Sequence, residues 1–394
     1  MYQASRVFLA ALVVGMLVSV GTPTVADATE VAGAGGWLSY GNGPTNQRTN
    51  ANPTIGPAQA KTLKEVWNSN TTAGVEITTS AVVTSGVVYA GCGFGICAVN
   101  TRTGTLVWKF ATPGQVDASP VLSNGVLYIG DQEVGGSSNM YAVSAVTGTE
   151  IWHTPIPGFI LAGANVVNGV VYSSNQVSGH AIGGLAAFNA KTGVGGVVGL
   201  AGNGGSTSTP AISNGLAYIY GAGSLWAFNA STGKEVWRRL GTAGSNESAL
   251  VANGAVYVGN PKALWAFDAS TGTTRWTVSD PGGLTSPAFA NNVLYVGNIA
   301  EGAVYAYNAT TGHQLWRTTV SGTVSGSPTL ANGVVYFGSY EYPKNQHPHY
   351  NLNAVDASTG AMLWHQATPG TLTFFASPSV ANGVICYGSY AFGL

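Results

Sequence analysis

A Thr-Gly pair followed four residues later by Trp recurs along this 394-residue chain, at Gly104/Trp108, Gly148/Trp152, Gly233/Trp237, Gly272/Trp276, Gly312/Trp316 and Gly360/Trp364. Trp237, Trp276 and Trp316 are separated by 39 and 40 residues. A period near 40 marks an array of equal units, each too small to bury its own apolar face without a neighbour, and it lies in the range of β-propeller blades. One copy has degenerated, with Val197 four residues after Thr192-Gly193.

Each unit follows one grammar. Ser-Pro opens it, as in SPVLSNGVLYIG and SPTLANGVVYFG; a β-branched strand, a polar hairpin, an LWAFDASTG-type strand and the Trp strand follow. Asn-Gly at 124–125, 168–169, 214–215, 253–254, 332–333 and 382–383 supplies the positive φ angles of two-residue hairpins, and Asn291-Asn292 fills that slot once. The Ser-Thr-Gly corner makes the next turn, where Gly accommodates left-handed backbone. Four strands per unit make one blade.

Repeats are read at 78–110, 117–154, 161–199, 207–239, 246–278, 285–318, 325–366 and 376–394. The last lacks its Thr-Gly corner and Trp strand, while Leu63 to Trp67 is a lone Trp strand whose Trp lies 41 residues before Trp108. The N-terminal segment 36–70 is therefore expected to complete the C-terminal blade and abolish open sheet edges. The last hairpin is shorter than its equivalents by four residues, an even number that keeps every side chain on its face; Gly388-Ser389 would be a two-residue turn. A truncated last repeat is the rival reading. The expectation is an all-β, eight-bladed β-propeller of four-stranded antiparallel blades, one domain over 29–394.

Composition narrows the function. Charged residues are only 7% of the chain, and Lys+Arg 14 against Asp+Glu 15 leaves no basic field for a nucleic-acid backbone. Residues 1–28 have the pattern of a secretory signal peptide: Arg6, the apolar run from Val7 to Val20, and Ala26-Asp27-Ala28 as cleavage site. An uncleaved anchor is the alternative, although the run is shorter than the ~20 residues of a span. The mature chain is thus expected to be secreted, periplasmic or at the cell surface, as a monomer. In an oxidising compartment Cys92 and Cys97, placed on two arms of one hairpin, can pair as a disulfide or persist as packed thiols; Cys386, at a Tyr position of the repeat, reads as a buried thiol.

The consensus formed by NGVVYFGS and LWAFDASTG with its following Trp resembles the pyrroloquinoline-quinone (PQQ) repeat, as does the opening GGWLSYGNGPTNQRTN with Trp37, Tyr40 and Trp67. The resemblance covers residues 36–394 and implies a quinoprotein alcohol dehydrogenase-like propeller. That superfamily holds alcohol dehydrogenases using PQQ and calcium, and also a non-catalytic outer-membrane assembly lipoprotein that binds protein partners. Fold does not choose between these.

Segments leading into the innermost strands face the channel. A quinoprotein site there needs oxygen ligands for calcium, a carboxylate base and a cation against the quinone oxygens. Glu76, Asn246 and Glu247 are the candidates for cofactor contact, Glu76 and Asn246 for the calcium ion, and Asp117 for the base. No Lys or Arg occurs in these segments, and the vicinal cysteines seen beneath the cofactor in many dehydrogenases of the family are absent. The longest insertion carries Tyr340, Glu341, Tyr342, His347, His349 and Tyr350 and reads as a recognition loop, insertions of repeats often lying on one binding face. The expected role is a binding or scaffold protein for an extracytoplasmic protein or polysaccharide, with PQQ- and calcium-dependent alcohol oxidation as the alternative.

Overall fold

The computed structural model describes residues 36–393 except 51–53, 75, 85, 134–136, 178–181, 204, 241–246, 280–281, 342–348, 369–375 and 389. The secretory-signal reading and the mature start therefore lie outside the described residues. Sheets built from consecutive strands radiate from a central channel, and the innermost strands lie side by side around it.

The expectation of eight four-stranded antiparallel blades needs correction. The propeller has seven four-stranded antiparallel blades, and the strands of the 325–366 repeat do not make another of that kind. They form a five-stranded mixed sheet, because Thr49–Asn50 adds in parallel to the inner edge of Thr323–Ala331, pairing Thr49 with Leu330 and Asn50 with Ala331. An inner edge presents unpaired backbone groups to the channel, and here a passing segment takes them up. One of the seven blades is composite: Lys64–Asn68 pairs antiparallel with Tyr390–Gly393, Trp67 opposite Ala391. Its short hairpin holds register, Tyr387 opposite Tyr390, with Gly388 at φ 54° between them.

The repeated residues bolt blade to blade. Trp108, Trp152, Trp237, Trp276 and Trp316 donate Nε1–H to the carbonyls of Ala145, Ala190, Ala269, Ala309 and Ala357 in the next blade's corner, at 2.9–3.1 Å. Tyr89, Tyr128, Tyr218, Tyr257 and Tyr295 donate their hydroxyls to the same five oxygens. A carbonyl has two lone pairs, so both donors are accommodated. The Trp ring also lies against the corner glycine: a Cβ at Gly148 or Gly272 would come within 2.7 Å of Trp108 or Trp237. In the degenerate copy, where Val197 replaces Trp, the backbone itself moves in, and a Cβ at Gly233 would strike the Val198 carbonyl.

Candidate functional site

One end of the channel is closed by residues 36–50, a Gly- and Asn-rich segment that circles the inner strands. Its carbonyls accept the amide three residues beyond each blade's Ser or its equivalent: Trp37 O from Val83, Leu38 O from Leu122, Pro44 O from Ile212, Thr45 O from Val251, Gln47 O from Phe289 and Arg48 O from Leu330. Asn46 Oδ1 accepts from Asn165, and Asn50 donates to Val380 O, so the plug reaches the remaining inner strands too. Such a path demands left-handed backbone, and Asn42, Asn46 and Arg48 take φ of 49°, 55° and 55°.

Arg48 braces the plug. It is 1% exposed; Nε donates to Pro328 O at 2.8 Å, Nη1 to Tyr40 O at 3.0 Å and Nη2 to Thr329 Oγ1 at 3.2 Å. Its guanidinium lies 4.5 Å from the centre of the Tyr40 ring, and the Tyr40 hydroxyl meets Ser286 and Ser327 Oγ, each at 3.2 Å. Burial lowers the Arg48 pKa, opposed by the neighbouring Tyr40 and Glu247. The plug thus carries a cation near the inner strands, but it is sealed beneath the floor rather than presented to the channel.

Above the plug lies a cavity of about 690 Å³. Its rim and walls include Tyr40, Asp117, Leu161, Glu247, Ile299 and Tyr340, with hydroxyls such as Thr78, Ser119, Ser248 and Ser327 between them. The Ser of the Ser-Pro signature has a second duty. Its hydroxyl accepts the amide of the equivalent residue one blade back, Thr209 to Ser248, Ser248 to Ser286, Ser327 to Ser377 and Ser377 to Ser80, at 2.8–2.9 Å. At one point a carboxylate interrupts the chain: the Ser286 amide donates to Glu247 Oε2 at 2.5 Å and its hydroxyl to the same oxygen at 2.6 Å.

The structure separates the sequence candidates. Asp117 is exposed at the cavity wall and accepts from Gln115 Nε2 at 2.9 Å. Glu247 is half-buried on the same cavity; burial raises its pKa, while the Ser286 hydrogen bonds and the Arg48 charge pull it down. Glu76 is exposed and does not line the cavity. Asn246 lies outside the described residues, as do Tyr342, His347 and the side chain of His349; the His349 backbone pairs with Glu341 at the end of its hairpin. Tyr340 lines the cavity, whereas Tyr350 is buried between blades with its ring centre 6.1 Å from that of Tyr340.

Cys92 and Cys97 form a buried disulfide, Cα atoms 5.9 Å apart, across the hairpin that joins Val87–Gly91 to Gly95–Asn100. Cys386 is a free buried thiol, its pKa pushed up to about 12 by burial. Sequence reasoning missed the plug and its Arg48 and Tyr40. The only signals were Asn-Gly richness in an opening stretch that carries one charge, Arg48.

No curated protein matches the sequence. Solved structures match the fold: a quinohemoprotein alcohol dehydrogenase from Comamonas testosteroni, 16% identical over 93% of this chain and 83% of that one, has a TM-score of 0.73. A second quinohemoprotein alcohol dehydrogenase, from Pseudomonas putida, is 16% identical with a TM-score of 0.68, covering 95% of this chain and 81% of its own. BamB from Moraxella catarrhalis is 17% identical over 84% of this chain and 98% of its own, at 0.61. The family profile described as outer membrane protein assembly factor BamB matches residues 52–277 and 266–388. With most of the chain so matched and five blade junctions bolted by the repeat's own Trp and Tyr, this protein belongs to the BamB-type family of PQQ-repeat β-propellers.

Proposed function

We propose that this protein is an exported binding scaffold whose plugged cup receives a polypeptide partner outside the cytoplasm. The observation that carries the reading is the one-ended cavity of about 690 Å³, within the range of ligand sites. Its hydroxyls and carboxylates are prearranged by the serine chain and the plug, so little ordering cost remains on binding. The family name, an assembly factor, supports a protein partner over a small metabolite.

The quinoprotein alternative rests on Asp117, a carboxylate exposed on the cavity and placed to accept a proton. The lining does not suit PQQ. That cofactor is an anionic tricarboxylate, and it would face Asp117 and Glu247 with no Lys, Arg or His among the described lining residues. Arg48, in the plug, spends its three nitrogens on Pro328, Tyr40 and Thr329 beneath the floor. Like charges buried together cost several kcal/mol of binding.

Two measurements test the reading. A photo-crosslinker at Gln132, on the cavity wall, is expected to give polypeptide adducts in the extracytoplasmic fraction of the producing cell; adducts to glycan alone, or to cytoplasmic protein, would overturn it. Calorimetric titration of PQQ with calcium into the protein beginning near Thr29 is expected to give no heat. Micromolar binding lost in Asp117→Ala would establish the quinoprotein reading instead.

A further inference from the structure

Among the described residues that line the cavity, Asp117 and Glu247 are acidic and none is basic. Low-dielectric walls around such a pocket focus its negative potential toward the mouth. Arg48, sealed beneath the floor, offsets the charge of Glu247, so Asp117 is the exposed acid that sets the sign of the cavity.

Among the described residues no group of three or more His, Cys, Asp or Glu side chains could hold a metal ion. An organic cation needs fewer carboxylates because it also brings several hydrogen-bond donors, three on an ammonium and five on a guanidinium. Acceptors for those donors are plentiful here: the hydroxyls of Ser119, Thr209 and Ser248 stand beside the carboxylates. Ile299 and Val324, from consecutive repeats, supply an apolar wall, which suits a methylene stem better than a bare ion. Tyr340 adds an aromatic ring at the same wall.

Resting on the reading of the cup as a binding site, we infer that it takes a lysine or arginine side chain presented by an extended segment of the partner polypeptide. Charge complementarity chooses the head group and the apolar wall chooses the stem. The volume, many times that of one ammonium, accommodates flanking residues of the same segment.

The test is calorimetric titration of the full chain with a Gly/Ser-rich dodecapeptide carrying a central Lys-Gly-Arg, its neutral counterpart with Gln-Gly-Gln, and spermidine. The basic peptide is expected to bind at least tenfold tighter than the neutral one. Its affinity should fall with added salt, and at least tenfold in Asp117→Asn, an exposed position whose substitution leaves the core intact. Equal binding of the two peptides, unaffected by Asp117→Asn, would overturn the cationic assignment while leaving the binding cup in place. Spermidine binding with neither peptide bound would overturn the polypeptide source. If no probe binds and Gln132 also gives no adducts, the cup reading itself falls.

Discussion

At the scale of single residues, the repeat is a set of paired obligations. The corner glycine must accept a left-handed backbone and also lie under a Trp ring, so it fails for two reasons when replaced. Gly272→Ala, at φ 68° and against Trp237, is expected to cost about 3 kcal/mol, whereas Gly215→Ala, at φ 75° with open space around it, should cost only the ~1 kcal/mol of strained backbone. Urea midpoints of the two variants give the comparison, and equal values would remove the ring contact as a cause. The tyrosines that share the corner carbonyl are held neutral by burial: Tyr89, Tyr218 and Tyr295 have pKa values raised to about 12. An unfolded tyrosine titrates near 10. Because the folded value is the higher, their contribution is complete below about pH 10 and is lost as pH rises toward 12. Their phenolate absorbance, read as the difference between the chain and its Tyr89→Phe variant, should therefore lag behind that of a free tyrosine and appear together with alkaline unfolding. A difference signal near pH 10 from the still-folded chains would contradict this. Where the pattern ends, the bond ends: Tyr336 Oη, facing the blade that lacks a corner, has no hydrogen-bond partner among the described residues. Ile55, Ala60 and Leu63 fill the apolar space there but offer the hydroxyl nothing.

At the scale of elements, the plug and the disulfide hairpin are the parts the repeat does not explain. The plug is held chiefly by carbonyls, which any sequence provides; what its residues add is the left-handed path and the Arg48 brace. Arg48→Met would strand two carbonyls in a buried site, while the Thr329 hydroxyl keeps its bond to Pro378 O, and is expected to cost about 2–4 kcal/mol. Arg48→Lys should recover little, because a point donor cannot span three acceptors set by a planar fork. Thermal melts of the two variants decide it, and full recovery by lysine would show that charge alone matters. The disulfide closes a loop with a sequence separation of 5, for which chain entropy predicts only about 2 kcal/mol. Replacing both Cys92 and Cys97 by Ser should lower the unfolding free energy from urea titration by about that amount without loss of fold. The hairpin it pins carries Phe94, 60% exposed, so its service is to fix an exposed ring as well as to stabilise.

At the scale of the whole molecule, a closed ring differs from an open array. In an open stack the end repeats fray independently, but here the strand Lys64–Asn68 joins the two ends of the chain and the plug touches every inner strand. Deletion of residues 36–68 is therefore expected to abolish the cooperative calorimetric transition altogether rather than shift it. A truncated chain that still melted sharply would show that the blades stand without closure.

The sequence by itself determined the unit: its period, its hairpin turns, its corner glycines and the Trp strand that closes the C-terminal blade are all local chemistry, written in Asn-Gly, Thr-Gly and β-branched runs. Asp117 and Glu247 were legible as channel-facing because they precede an inner strand, and register carries that far. What only the tertiary structure decided is the inside of the ring. Thr49–Asn50 joins an inner edge more than 270 residues away, turning one four-stranded blade into a five-stranded sheet. Arg48 and Tyr40 form the floor, and Glu76 stays outside the cavity. The physical reason is that the plug's partners are backbone amides, identical at every position and silent in the sequence. Those amides become a site only when the blades close around a common axis and leave their inner edges unpaired.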